Sequence, residues 1–173
     1  MEQLFTVDTN SHIMYVTEED RLVRVINNVR IGENGTTTFE KAIEADRKTP
    51  LGLYDLGLAF GTHDMDIKYP YVKIDDNSYW VDDYKSKHYN YFVEIDGNVD
   101  TFGYNYVENL KDKDFSSAEH LIDYKMQYEY AVFIEFNVNG QIDENGVGNN
   151  KGSAIFLHCH GLKDYTGGCV AVS

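Results

Sequence analysis

The chain contains little proline, cysteine and tryptophan, and these shortages exclude several classes of protein. Its 173 residues include two prolines, two cysteines and one tryptophan. With so few prolines and only fourteen glycines, the composition is not that of a low-complexity or disordered chain. Two cysteines are too few for a disulfide-dense scaffold, and their number leaves the redox compartment open.

Positive charge and long hydrophobic runs are also scarce. Fifteen Lys and Arg stand against twenty-nine Asp and Glu, which gives a formal net charge of −14. A nucleic-acid surface needs clustered Lys and Arg, so we expect no nucleic-acid partner. No stretch approaches the roughly 18 consecutive apolar residues of a membrane span. The first twenty residues lack the basic and apolar regions of a signal peptide.

Aromatic residues, by contrast, are abundant and favour strands. The chain has fourteen tyrosines and nine phenylalanines. Strand-like runs occur at 4–7, 13–16, 22–31, 130–137 and 153–159. The length matches one domain, 1–173, so we expect a single mainly β domain with a few short helices.

One of these short helices is predicted by a capping pattern. Ser116 and Glu119 have the spacing of a capping box, with serine at the N-cap and glutamate at the third helical position. The pattern therefore predicts a helix that continues to about Tyr124.

Residues 62–115 form a long, irregular segment rich in Tyr, Asp and Asn. Irregular segments of this length are usually functional. We therefore expect an insertion that covers the functional site, with Trp80 facing the groove beside Asp82 and Asp83. The alternative is that these aromatic residues form a satellite hydrophobic cluster.

The most informative residues lie near the end of the chain, where His158 precedes Cys169. A cysteine nucleophile needs a base and donors for an oxyanion. Gly167 and Gly168 allow a sharp turn that presents N–H groups to a substrate carbonyl. Strand alternation places His158 and Cys159 on opposite faces. We therefore expect two free thiols: Cys159 in the core and inert to a small alkylating agent, and Cys169 facing the groove beside His158 and reacting fast.

Other interpretations of the same residues remain open. The two residues can be unrelated, and Thr166 can be a turn residue only. His158, Cys159, His160 and Cys169 lack the usual spacing of zinc ligands, so we expect no metal and no cofactor. His160 is a competing candidate for the base, because it lies two residues beyond His158 with the same strand parity.

Several motifs then occur in a fixed order from about residue 20 to the end. They are Lys-Thr-Pro-Leu-Gly-Leu-Tyr at 48–54, Trp-Val-Asp-Asp at 80–83, Ser-Ala-Glu-His-Leu at 117–121, Gly-Ser-Ala-Ile-Phe-Leu-His at 152–158 and Thr-Gly-Gly-Cys-Val at 166–170. This ordered set resembles the L,D-transpeptidase catalytic-domain family, in the subgroup with a long insertion before the active site. The resemblance implies a β-sandwich or barrel-like fold.

The resemblance also implies site residues. Cys169 would be the nucleophile and His158 its base. We assign Thr166, Gly167, Gly168 and Trp80 to substrate or oxyanion binding. These four residues lie in motifs that carry the resemblance, and the two glycines also form the turn before Cys169.

The implied reaction takes place on peptidoglycan stem peptides, outside the membrane, at the cell wall or cell surface. The thiol attacks the carbonyl of an L-to-D peptide bond, expels the terminal D-residue and forms a thioester. An amine of a second stem then gives a cross-link, whereas water gives carboxypeptidase activity.

Two features depart from the family pattern. Ala171 stands where many members have arginine, and the sequence ends four residues after Cys169. We therefore expect that the family's usual C-terminal helix and strand are absent. The alternative function is a non-catalytic relative that binds cell wall or peptide.

Overall fold

The computed structural model describes all 173 residues and confirms a mainly β fold. Four sheets contain fourteen strands, and the helical elements are two short 3-10 helices, Leu121–Tyr124 and Val138–Gln141. The strands are β1 (Gln3–Asp8), β2 (Ile13–Glu18), β3 (Arg21–Ile26), β4 (Thr36–Thr37), β5 (Thr49–Pro50), β6 (Leu56–Gly61), β7 (Tyr71–Lys73), β8 (Ser78–Val81), β9 (Phe92–Ile95), β10 (Val107–Leu110), β11 (Ala118–His120), β12 (Tyr130–Ile134), β13 (Phe156–Cys159) and β14 (Val170–Val172). None of the helical segments has the length and apolarity needed to cross a membrane.

The central sheet has five strands in the order β14-β13-β12-β6-β7. Strand β12 is antiparallel to both β13 and β6, whereas β14 is parallel to β13. The β13–β14 register places His158 opposite Ala171 and Leu157 opposite Val170. This pairing brings the residue just before β14, Cys169, next to the start of β13.

A second sheet, in the order β10-β9-β8-β11, packs against the central one. The aromatic rings of Trp80, Phe133 and Phe156 meet between them, with centroid distances from Trp80 of 4.7 and 4.8 Å. Residues 62–115 supply β7, β8, β9 and β10. The strands of this segment therefore belong to the sandwich, with β7 in the central sheet and β8, β9 and β10 in the second sheet, and their alternate side chains point into the shared core.

The amino-terminal strands β1, β2 and β3 form a separate antiparallel sheet. Met14 and Val16 of this sheet pack with Val29 and Val170 in a second, smaller cluster. That cluster lies against β14, so the amino-terminal sheet supports the strand that follows Cys169.

The predicted helix from Ser116 to Tyr124 is wrong. The Ser116 hydroxyl donates to Asp83 Oδ2 at 3.0 Å instead of capping a helix. The next residues form β11, and only Leu121–Tyr124 is a 3-10 helix without a side-chain cap. Pairing with β8 satisfies the backbone groups that a helix would have used.

Candidate active site

A groove of about 750 Å³ opens at the edge of the sandwich. It is lined by four of the residues expected at the site, namely Cys169, His158, Thr166 and Gly167. The structure thus brings the two ends of the carboxyl-terminal motif into one cavity, a size typical of a ligand site.

The thiol of Cys169 is buried against the start of β13. Its Sγ accepts a hydrogen bond from the Phe156 N–H at 3.3 Å and donates one to the Ala154 carbonyl at 3.2 Å. Burial, with a smaller contribution from the Glu119 carboxylate, raises the pKa of Cys169 to about 12. The thiol is therefore protonated at neutral pH in this arrangement.

The turn before Cys169 requires glycine at position 168. Gly168 has φ +136°, and a Cβ there would lie 3.0 Å from the Lys48 carbonyl oxygen. The Thr166 Oγ1 accepts from the Gly168 N–H at 3.1 Å and donates to the Cys169 carbonyl at 2.7 Å. The Thr166 hydroxyl is therefore engaged within the turn itself.

Thr49 holds the same turn from the other side, and the sequence analysis gave it no role. Its Oγ1 donates to the Gly168 carbonyl at 2.7 Å and accepts from the Gly32 N–H at 2.8 Å. Thr49 is buried. Thr49 lies in the Lys-Thr-Pro motif, but that motif by itself indicated only a strand and not a contact with the turn before Cys169.

His158 lies on β13, opposite Ala131 and Ala171, and is buried. Its Nδ1 lies 2.7 Å from the Cys159 carbonyl oxygen, so Nδ1 carries the proton and Nε2 has the free lone pair. Burial lowers the pKa of His158, which favours the neutral ring. The structure contains no hydrogen bond between His158 and Cys169, whose thiol is bonded to Ala154 instead.

His160, the competing base, does not line the groove. It is half-buried, and its Nε2 is buried without a hydrogen-bond partner. The geometry therefore favours His158 over His160 as the residue close to Cys169.

Both cysteines are free, and they lie on opposite sides of the central sheet. Cys159 is half-buried, and its Sγ contacts the Tyr130 carbonyl at 3.5 Å. The expectation that Cys159 belongs to the core is therefore wrong, because its strand lies close to the sheet edge and leaves the side chain partly open to solvent. No cluster of three or more His, Cys, Asp or Glu residues is arranged to hold a metal.

Trp80 does not face the groove, which corrects its assignment to substrate binding. Its side chain is completely buried between the two sheets, against Phe133 and Phe156. Its indole N–H donates to Asn90 Oδ1 at 2.8 Å, and the same oxygen accepts from the Ala154 N–H at 3.0 Å. Trp80 thus supports the site indirectly, through Phe156 and through Asn90, which is hydrogen-bonded to Ala154.

Asn90 is a further residue that the sequence analysis missed. Besides Trp80 and Ala154, it donates through Nδ2 to the carbonyls of Phe136 and Asn137 at 3.0 and 2.7 Å. Ala154 has φ +55°, an unusual value for alanine, and the Asn90 bond helps to hold it there. Asn90 lies in the segment 62–115. No local pattern in the sequence indicated its role.

Acidic side chains also line the groove, namely Glu44, Asp46, Asp82 and Glu119. Glu119 Oε2 accepts from the Tyr128 hydroxyl at 2.7 Å, and burial raises the pKa of Glu119 to about 7. Glu44 accepts from the hydroxyl groups of Tyr89 and Ser153, and burial raises its pKa too.

Cationic side chains line other parts of the groove. They are Arg30, Arg47, Lys48, Lys151 and Lys163. The groove therefore combines a cysteine thiol, a neutral histidine and charged groups of both signs in a chain with a strongly negative total charge.

The family is established by comparison with known proteins. The family profile of YkuD, the L,D-transpeptidase catalytic domain, matches residues 2–173, which is almost the whole chain. Comparisons with curated proteins and with solved structures give no significant match. On the extent of the profile match, the chain belongs to the YkuD family of L,D-transpeptidase catalytic domains.

Proposed function

We propose that the protein is a cysteine L,D-transpeptidase that acts on peptidoglycan stem peptides through a thioester acyl-enzyme. The observation that carries the proposal is that Cys169 and His158 line one groove in a chain of this family. Such substrates lie in the cell wall or at the cell surface, so the proposed location is extracytoplasmic.

The acylation step follows from the groups present. His158 Nε2 takes the proton of Cys169 Sγ, and the sulfur attacks the carbonyl carbon of the L-to-D bond. The C–N bond then breaks, and His158 returns the proton to the departing amine of the D-residue. The products are a thioester on Cys169 and a free D-amino acid.

The turn before the nucleophile supplies donors for the oxyanion. The backbone N–H groups of Gly167 and Cys169 have no acceptor within the chain, whereas the Gly168 N–H is bonded to Thr166. Free N–H groups directed at a developing oxyanion stabilise acyl-transfer transition states. This assigns the oxyanion to Gly167 and Cys169, with Gly168 and Thr166 maintaining the turn.

The buried thiol fits a mechanism in which substrate binding precedes activation. In the free protein the Cys169 thiol is protonated and donates a hydrogen bond to the Ala154 carbonyl. A side-chain rotation that brings Sγ towards His158 Nε2 breaks that bond and forms the nucleophile–base pair. Catalytic hydrogen bonds are often absent or long before substrate binds.

The proposal is tested by release of the terminal D-amino acid from a stem tetrapeptide. The wild-type protein should release it and form either a cross-linked dimer or a shortened peptide. Cys169→Ala and His158→Ala should lose release by at least about a hundredfold, the usual scale for a nucleophile or general base.

His160→Ala is the matched control, and it should retain release within about threefold, since His160 lies outside the groove. Peptide binding without release by the wild-type protein would favour the non-catalytic alternative. Loss of release in His160→Ala but not in His158→Ala would exchange the two histidines.

A further inference from the structure

Asp82 is a groove residue whose carboxylate has an unpaired buried oxygen. It directly follows β8 and lines the groove that contains Cys169. Its Oδ1 is buried and has no hydrogen-bond partner, and the side chain takes part in no salt bridge. A buried unpaired carboxylate oxygen is unfavourable, so its donor is expected to come from a ligand.

The neighbouring carboxylate, Asp83, shows what a structural role looks like at the same place. Asp83 accepts from the Ser116 N–H and hydroxyl, both at 3.0 Å, and from the Lys85 N–H at 3.1 Å. Its oxygens therefore join two loops. Asp82 makes no comparable bond, so its presence in the groove has no structural explanation of this kind.

The other three acidic residues of the groove, Glu44, Asp46 and Glu119, all have hydrogen-bond partners within the protein. Asp46 accepts from the backbone N–H groups of Lys48 and Ile43 at 2.9 and 3.1 Å. Glu119 is bonded to Tyr128, and Glu44 is bonded to Tyr89. Asp82 is the groove carboxylate whose side chain has no hydrogen-bond partner in the protein. The negative charges nearby favour a cation over a neutral donor as its ligand.

Cations of the protein do not fill this role. Arg47 is paired with Glu33, and the Lys151 ammonium donates to the Glu40 carbonyl. The groove therefore holds an acidic residue that its own basic residues leave unpaired.

We propose that Asp82 binds the primary amine of the acceptor substrate in its ammonium form. The bound ammonium gives one proton to the neutral His158 ring, and the free amine then attacks the thioester carbonyl. The C–S bond breaks, and the Cys169 sulfur takes the second proton from the new amide nitrogen. The inference rests on the proposed function and deepens it. The donor peptide ends in a free carboxylate, which fits the cationic side chains of the groove, including Lys48 and Lys163. The acceptor contributes an amine, which fits the acidic side, and a charged hydrogen bond to Asp82 would hold it beside the thioester.

The experiment measures how the acyl-enzyme partitions between amine and water. The protein is acylated with a stem tetrapeptide and then mixed with a stem tripeptide that carries a free side-chain amine. In Asp82→Asn the ratio of cross-linked to hydrolysed product should fall about tenfold, the size of a lost hydrogen bond to a charged group. The rate of acylation should stay within about twofold of the wild-type rate.

Asp83→Asn is the matched control, because it removes the same charge from the adjacent residue. Its product ratio should equal that of the wild type, whatever its thermal stability. An unchanged ratio in Asp82→Asn would overturn the inference, and so would a loss of acylation, which would assign Asp82 to the donor.

A binding measurement keeps the test independent of turnover and of the variant's folding. Calorimetric titration of the wild-type protein should show about tenfold weaker binding of the tripeptide when its side-chain amine is acetylated. Equal binding of the two forms would contradict recognition of the ammonium. If the wild-type protein forms no acyl-enzyme but still binds the free amine more tightly than the acetylated one, the proposed function is wrong and recognition of the ammonium by the protein stands.

Discussion

The two cysteines belong to the same sheet but have opposite surroundings. Cys169 is buried in the groove, where Sγ is bonded to both Phe156 and Ala154. Cys159 is half-buried on the other face, and its Sγ makes one hydrogen bond, to the Tyr130 carbonyl. The proposed nucleophile is thus the less accessible of the two thiols. The expected order of reactivity towards a small alkylating agent is therefore reversed, because burial hides the Cys169 thiol and raises its pKa.

This difference separates general reactivity from reactivity towards a bound substrate. A small alkylating agent reacts with whichever thiolate it can reach, so the high pKa and burial of Cys169 protect that residue. A peptide held in the groove meets Cys169 together with His158, and orientation then outweighs exposure. The following predictions test this contrast, beginning with the largest effect.

Replacement of each cysteine by alanine should have opposite effects on acylation by a stem peptide. Cys169→Ala should reduce acylation by a stem peptide below detection, because the sulfur that forms the thioester is gone. Cys159→Ala should retain acylation within about twofold, since Cys159 lies outside the groove. Intact-mass spectrometry after incubation measures both. Acylation that survives in Cys169→Ala would contradict the assignment.

Asn90→Ala should cause the largest loss of stability. The substitution leaves the buried Trp80 and Ala154 N–H groups without their acceptor, and two backbone carbonyls without their donor. Each unpaired buried group costs about 1–3 kcal/mol, so the free energy of unfolding should fall by about 3 kcal/mol or more. Urea denaturation measures the loss.

The matched variant for this position is Asn90→Asp, which retains the oxygen that accepts from Trp80 and Ala154. It should lose the bonds to Phe136 and Asn137 but preserve the other two. A change of less than about 0.5 kcal/mol in Asn90→Ala would show that these bonds do not support the site.

Glu119→Gln should make Cys169 more reactive, but only at higher pH. The pKa of Glu119 is raised to about 7, so its carboxylate is neutral below that pH and charged above it. Above pH 7 the charge opposes formation of the Cys169 thiolate, and its removal should accelerate alkylation about three- to tenfold. Below pH 7 the variant and the wild type should react alike.

The pH profile of iodoacetamide labelling, resolved by peptide mapping, measures this effect. Labelling of Cys159 serves as an internal control and should be the same in both proteins. An acceleration that is equal at pH 6 and pH 8 would assign the effect to packing instead of charge.

The smallest effect is expected for stability in Cys159→Ala. The side chain is half-buried and its sulfur makes one contact, at 3.5 Å. The free energy of unfolding should fall by about 1 kcal/mol or less, as for a small void. A loss above about 2 kcal/mol in urea denaturation would place this thiol in a tightly packed region.

Local pattern was sufficient for much of the sheet framework. The apolar runs around residues 13–16 and 153–159 correspond to β2 and to β13, and the strand parity of His158 and Cys159 agrees with the register. These predictions succeed because alternation is a property of adjacent residues. The assignment of Cys169 and His158 to one site came from the ordered motifs, which are those of the family.

Long-range contacts account for what was missed. Thr49 is hydrogen-bonded to Gly168, and Asn90 to Ala154, although the residues of each pair are far apart in the sequence. No local sequence pattern indicates such bonds. The aromatic segment around Trp80 was interpreted as a cover because composition alone does not distinguish a core layer from a lid. Burial decides that question, and burial depends on the partner sheet.

The most direct test labels one protein sample with two reagents and maps the sites by mass spectrometry. Iodoacetamide at neutral pH should modify Cys159 first, because Cys169 is buried and its pKa is raised to about 12. A stem tetrapeptide should acylate Cys169 alone, with a mass increase equal to the mass of the peptide minus the mass of the released D-amino acid. An acyl group on Cys159, or no acyl group on either cysteine, would contradict the account.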